Sequence, residues 1–113
     1  MPSVKFAPGA LRDLARLRAS LQAKNPLAIR KAAATIIQSV QILEQHPQIG
    51  RPVENMEPVY KELIIGFGHY GYVVLYRLES DAIIVVALRH QLEAGYRPDE
   101  SLENNSADRG TNR

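Results

Sequence analysis

Val4-Lys5-Phe6-Ala7 alternates apolar and polar side chains, and this period of two predicts a short strand. Pro8-Gly9 interrupts it. From Ala10 the spacing becomes helical. Leu11, Leu14, Leu17 and Leu21 share one stripe, with Arg12, Asp13, Arg16 and Arg18 between them. This predicts an amphipathic helix whose polar face is mostly basic. Asn25-Pro26 ends it and starts the next, with Asn25 placed to cap free backbone N–H groups and Pro26 where a missing N–H costs nothing. In the second helix Ile29, Ala33, Ile36, Val40 and Leu43 are spaced 4, 3, 4 and 3. It is expected to run to about Gln45, where His46-Pro47 stops it. Two amphipathic helices joined by so short a turn make an antiparallel hairpin.

Residues 48–58 hold Gly50 and two prolines and read as a loop. The period then returns to two. Residues 60–65, 70–77 and 82–89 read as strands, separated by the turns Gly66-Phe67-Gly68-His69 and Leu78-Glu79-Ser80-Asp81. Turns this short force antiparallel pairing, because a parallel return needs a crossover. The continuous apolar run from Ile83 to Leu88 predicts a central strand covered on at least part of both faces. The order is β-α-α-β-β-β. That is an α+β domain in which a helical hairpin packs on an antiparallel sheet. Residues 1–97 form this domain. Residues 98–113 are polar, with Leu102 as their sizeable apolar residue, and are expected to be a flexible tail.

Composition narrows the class. The chain has 113 residues, 45% hydrophobic and 23% charged, which is ordinary for one globular domain. No apolar run approaches the roughly 18–20 residues that span a bilayer. The N-terminal residues lack the apolar stretch of a secretory signal, so a cytoplasmic protein without membrane association is expected. The absence of cysteine excludes disulfides, thiolate metal sites and cysteine nucleophiles. Three scattered histidines without carboxylates at ligand spacing argue against a metal, and no motif calls for a cofactor. Gly66, Gly68 and Gly71 match no phosphate-binding loop, because no helix follows them.

The net charge of +2 hides an asymmetry. Residues 1–53 carry eight basic groups and two acids, hence +6, and residues 54–113 carry six and ten, hence −4. A basic body with an acidic C-terminal end suits an anionic partner, either nucleic acid or an acidic polypeptide.

Several ordered pieces carry a resemblance. They are the helix ending in His46-Pro47, then Gly50-Arg51-Pro52-Val53, Tyr60-Lys61-Glu62-Leu63, residues 71–77 (GYVVLYR) and residues 89–96 (RHQLEAGY). Over residues 3–97 the chain resembles the RelE/ParE superfamily of bacterial type II toxin–antitoxin toxins, in its ParE-like branch. The resemblance implies a small toxin held inactive by a cognate ParD-like antitoxin. RelE-like members cut messenger RNA on the ribosome, whereas ParE-like members poison DNA gyrase by binding it.

RNA cleavage by 2′-hydroxyl attack needs a base, cations that stabilise the phosphorane, and an acid for the leaving oxygen. The candidates are Lys61, Arg77, Arg89, His90 and Tyr96. His90 and Tyr96 fall where RelE-like toxins carry C-terminal functional residues, and Lys61 matches a lysine or arginine present in both branches. Two positions depart from the nuclease pattern. Val73 follows Gly71-Tyr72 where RelE-like enzymes carry a phosphate-binding arginine, and Leu63 stands where they tend to carry a further cation. Two missing cations would remove several kcal/mol of transition-state stabilisation, at roughly 1.4 kcal/mol per tenfold in rate.

The expectation is therefore inhibition of gyrase by direct binding, without catalysis, through Lys61, Arg77, Arg89, His90 and Tyr96, with Lys61, Arg77, Arg89 and His90 gathered on one surface. The alternatives are a ribosome-dependent mRNA endonuclease and a nontoxic remnant that only binds the antitoxin. The antitoxin is expected in the grooves around Leu11, Leu14, Ile36 and Val40. The other singular residues have plain structural readings. His46 sits at a helix C-terminus, His69 is solvated in a turn, Arg51 pins its loop to the sheet, Arg77 pairs with Glu79, and Tyr70, Tyr72 and Tyr76 share one face of their strand.

Overall fold

The computed structural model describes residues 2–96. The expected tail at 98–113, and the domain boundary before it, lie outside the described residues.

Strand β1 (Ser3–Phe6) leads directly into helix α1 (Pro8–Lys24). Pro8 occupies the first turn, where its fixed φ suits a helix and its missing N–H has no partner to lose. The helix therefore begins at the residue pair expected to interrupt the chain. A short 3-10 turn (Pro26–Ala28), helix α2 (Ile29–Gln41) and a second 3-10 turn (Ile42–Glu44) follow. Asn25 joins the helices through its backbone instead of its side chain. Its N–H donates to the Leu21 carbonyl at 2.6 Å and its own carbonyl accepts from Ala28 at 3.0 Å. The expected side-chain cap is not formed.

The sheet holds β2 (Arg51–Pro52), β3 (Tyr60–Phe67), β4 (Tyr70–Leu78) and β5 (Ala82–His90) besides β1, in the order β1-β5-β4-β3-β2. β3, β4 and β5 pair antiparallel, as their short turns require. The β3–β4 turn places Gly68 at φ +66°, a value that a hairpin's first central residue needs and that glycine adopts freely. β1 pairs parallel with β5, from Ser3↔Ala82 to Phe6↔Val85, with both helices and strands β2, β3 and β4 lying between them in sequence. β2 was not visible in the periodicity, because two residues carry no alternation. It pairs with β3 as Arg51↔Glu62 and Pro52↔Lys61, and its proline is tolerated on a sheet edge.

One face of the sheet is covered by the helices, α1 over β5 and α2 over β3. Ile65, Tyr72, Val74, Tyr76, Ile83, Val85 and Leu88 meet Ala10, Leu17, Ala32, Ile36, Val40 and Leu43 there. Gly50 reaches this core from the β2 loop. The fully buried Tyr76 hydroxyl donates to the Pro47 carbonyl at 2.9 Å and accepts from the Gly50 N–H at 2.9 Å. A Cβ on Gly50 would lie 2.5 Å from that hydroxyl and 2.7 Å from the Glu62 carbonyl. The glycine of Gly50-Arg51-Pro52-Val53 is thus a packing requirement.

The core placement corrects part of the expected antitoxin surface. Ile36 and Val40 are only 2% and 1% exposed, because they are the residues by which α2 grips the sheet. A partner cannot reach them in this fold. Leu14 packs partly against the core, whereas Leu11 is open to solvent.

Candidate functional site

The end of β5 carries the candidate residues, and a bulge decides where they point. Tyr76 pairs with Val85 but Leu75 pairs with Ala87, so Val86 is an extra residue on β5. Before the bulge Ile83 and Val85 face the helices. After it Leu88 and His90 do so, and Ala87 and Arg89 turn to the opposite face. Without the extra residue Arg89 would point into the helices.

β1 ends opposite Val85, which leaves the upper part of β5 without a strand neighbour on that side. Helix α1 takes over. Asp13, buried at 6% exposure, accepts the Leu88 N–H on Oδ2 at 2.9 Å. Arg16 contacts Asp13 Oδ1 at 3.4 Å and donates to Glu93 Oε2 at 2.7 Å. Glu93 Oε1 accepts the His90 N–H at 2.8 Å. His90 Nδ1 accepts the Leu92 N–H at 3.1 Å, which leaves the proton of the neutral ring on Nε2. The ring stands edge-on to Tyr72, with centroids 5.6 Å apart. A groove of about 490 Å³ opens here between α1 and the β3–β4 hairpin, lined by Arg16, Lys24, Phe67, Tyr70, Tyr72 and His90 among others.

On the opposite face a second cluster forms. Glu62 is 8% exposed, and both of its carboxylate oxygens are engaged. Oε1 accepts from Arg51 Nε at 3.1 Å and Nη2 at 3.0 Å, and Oε2 accepts from the Tyr96 hydroxyl at 2.6 Å. The Arg89 guanidinium lies 5.2 Å from the Tyr96 ring centroid. It also donates to the carbonyls of His90, Gln91 and Glu93, at 3.4, 3.4 and 3.0 Å. Burial pushes the Tyr96 hydroxyl well above the ordinary tyrosine range, and the hydrogen bond to the Glu62 carboxylate raises it further, against a smaller opposing pull from Arg89. Arg77 is clamped by Glu79, with Nε and Nη2 2.9 and 2.6 Å from Oε2, which holds the guanidinium more firmly in its charged form.

Lys61, Arg77, Arg89 and His90 are therefore not gathered on one surface. Register places Lys61 beside Tyr76 and His90 beside Tyr72, on the helix-covered side, whereas Arg77, Arg89 and Tyr96 belong to the opposite face. The expectation of a shared surface is corrected by the pleat and the bulge. Of the candidate side chains, those of Arg89 and Tyr96 meet.

The same frame occurs in known proteins. The family described as the ParE toxin of the type II toxin–antitoxin system parDE matches residues 4–95. The chain belongs to the ParE toxin family. Toxin RelE3 of Caulobacter vibrioides is 39% identical over 94 residues, covering 82% of this chain and 98% of that protein. Toxin RelE1 of the same organism is 32% identical over 84 residues, 74% of this chain and 87% of its own. Among solved structures, the chromosomal ParDE system from P. aeruginosa superposes with a TM-score of 0.67 at 20% identity, covering 80% of this chain and 96% of its counterpart. The RelBE2 toxin–antitoxin complex of Mycobacterium tuberculosis gives 0.56 at 21% identity, covering 80% and 100%. These structures share the fold of two helices on a sheet. Membership rests on residues 4–95 as a whole and does not need the candidates to converge.

Within this ParE-family toxin the two departures from the nuclease pattern have structural places. Val73, 1% exposed, pairs with Arg89. Leu63 pairs with Val74 and packs against the core. The sequence reading missed Asp13, Arg16, Glu62 and Glu93 as the groups that organise the strand end. Asp13 left a trace, since it shares a helix stripe with Ala10 and Leu17 where an unpaired charge would be costly. Glu62 left none, because a polar residue in an alternating strand reads as solvent-facing. Among the described residues no group of three or more His, Cys, Asp or Glu side chains gathers as a metal site, and no helix is long and apolar enough to cross a membrane.

Proposed function

We propose that this ParE-family toxin acts by binding its target, DNA gyrase, and that a cognate antitoxin neutralises it. The observation that supports this reading is the division of the candidate groups. Cleavage of RNA needs its base, its acid and its cations around one phosphate. Here His90 and Lys61 are separated by the sheet from Arg77, Arg89 and Tyr96. Arg77 is occupied by Glu79, and Arg89 by the main chain of residues 90–93. Tyr96, held neutral by its surroundings, is a weak acid for a leaving group. Two further phosphate cations are replaced by Val73 and Leu63.

The antitoxin partner is supported by the family, whose solved relatives include a ParDE system and a RelBE2 complex. Leu11, Leu27, Ile37 and Ile42 are exposed apolar side chains on the helical layer where such a partner would gain contact. The mRNA endonuclease reading has the RelE names of the two Caulobacter relatives in its favour. A supercoiling assay with purified protein separates the two. Inhibition with a trapped cleavage complex supports gyrase binding. Primer extension after induction that shows codon-positioned cuts, lost in His90→Ala, overturns it. Normal growth with soluble toxin and no antitoxin leaves the nontoxic remnant.

A further inference from the structure

We infer that Glu62 is a positioning residue, which fastens residues 91–96 across the sheet and so sets the surface the toxin presents to its target. The inference deepens the binding reading above and rests on it in placing the target contact at the end of β5.

Residues 91–96 belong to no helix or strand. Among the described residues, bonds between main-chain groups tie them at two points. Gln91 donates to the Gly71 carbonyl at 2.8 Å and Glu93 to the His90 carbonyl at 3.0 Å. Backbone entropy opposes holding such a segment in one place, so side chains must fix it. They do so from both faces of the sheet. On the helix side Glu93 meets Arg16 at 2.7 Å. On the other side Tyr96 reaches Glu62, thirty-four residues earlier in sequence, at 2.6 Å. Arg89 lies over the Tyr96 ring and bonds the Glu93 carbonyl, which joins the two fastenings. Leu92, next to Glu93, is 65% exposed.

Glu62 is the hub because each oxygen serves a different element, Arg51 of β2 and Tyr96 of the segment. Its ion-pair partner Arg51 has a side chain 58% exposed, and water can solvate it once the carboxylate is gone. Loss of Glu62 therefore loosens the segment and leaves the core in place. A hydroxyl donating to a carboxylate is among the stronger protein hydrogen bonds, so its removal raises local opening by at least roughly tenfold.

Hydrogen exchange on the full chain, paired with growth arrest on induction, tests this. Tyr96→Phe and Glu62→Ala are expected to speed exchange of the Gln91 and Glu93 amides about tenfold, to leave β3–β5 amides unchanged, and to weaken growth arrest at equal soluble protein. Glu62→Gln keeps one oxygen for the Tyr96 hydroxyl but loses the charge, and is expected to loosen the segment and weaken growth arrest less than Glu62→Ala does. Unchanged exchange at residues 91–96 overturns the inference. So does faster exchange across the whole sheet, local loosening with full growth arrest, or a wild-type chain that does not arrest growth. Growth arrest that depends on Glu62 in cells whose gyrase is unaffected removes the proposed target and leaves the positioning role standing.

Discussion

The Asp13 carboxylate and the Leu88 amide are 2.9 Å apart across 75 residues of sequence, and this bond lets a helix complete a strand. β1 stops at Phe6, beside Val85. A buried N–H beyond that point needs an acceptor, and α1, leaving β1 through Ala7, brings Asp13 to it. Asp13→Ala leaves the Leu88 N–H unpaired and removes a carboxylate from beside Arg16. The expected cost is about 1–3 kcal/mol in urea unfolding. Asp13→Asn keeps an acceptor oxygen and is expected to cost less. Equal stability in all three proteins would show that water replaces the carboxylate.

Gly50 and Tyr76 form a second pair whose chemistry is steric. A Cβ on Gly50 collides with the Tyr76 hydroxyl and with the β3 backbone. Gly50→Ala is expected to destabilise by roughly 1–3 kcal/mol, the usual range for overpacking. Tyr76→Phe leaves the Pro47 carbonyl and the Gly50 N–H without their shared partner, for about 1–2 kcal/mol. Because the phenylalanine removes one of the colliding atoms, the double variant should be less unstable than the sum of the two. Additive losses in a double-mutant cycle would place the collision with the Glu62 carbonyl alone.

How far the sequence carried the fold is visible in these residues. The period-two runs and the leucine stripes are local properties, and they located both helices and the four longer strands. Strand order, the parallel seating of β1 and the bulge at Val86 depend on distant partners, and no local pattern encodes them. The candidate site suffered most, because an alternating strand assigns a side chain to a face only while the register is regular. A single extra residue sent His90 and Arg89 to the faces opposite those that simple alternation from Val85 gives. Asp13 and Arg16 meet Leu88 and Glu93 across 75 and 77 residues of sequence, a distance that no local pattern spans.

The buried tyrosines predict an alkaline limit. Tyr72 and Tyr76 are raised by burial, and at Tyr76 the Gly50 N–H opposes the rise by favouring the ionised form. Tyr96 is raised by burial and by Glu62. In the unfolded chain each ionises near the ordinary 10.0, so above that pH the folded state binds more protons than the unfolded state. Stability is thus fully present below pH 10 and falls as pH rises beyond it. Thermal melts between about pH 9 and pH 11.5 should show this decline, with a shallower slope in Tyr96→Phe. An identical slope in that variant would mean that the Tyr96 hydroxyl is not held from solvent by Glu62.

The last prediction separates core from partner surface on the helices. Ile36 lies in the core at the α2–sheet contact, so Ile36→Ala should cost about 2–5 kcal/mol and reduce antitoxin binding only through loss of folded toxin. Leu27 is 93% exposed in the turn between the helices, and Leu11 is exposed on α1. Leu11→Ala and Leu27→Ala should leave stability within roughly 0.5 kcal/mol, because they remove little buried surface. If the antitoxin covers the helical layer, these two substitutions weaken its binding to a fully folded toxin, measurable by calorimetry with the product of the neighbouring reading frame. A partner that binds both variants as tightly as the wild type must approach elsewhere, and the aromatic groove between α1 and the β3–β4 hairpin is then the surface to substitute next, starting with Tyr70, which is exposed there.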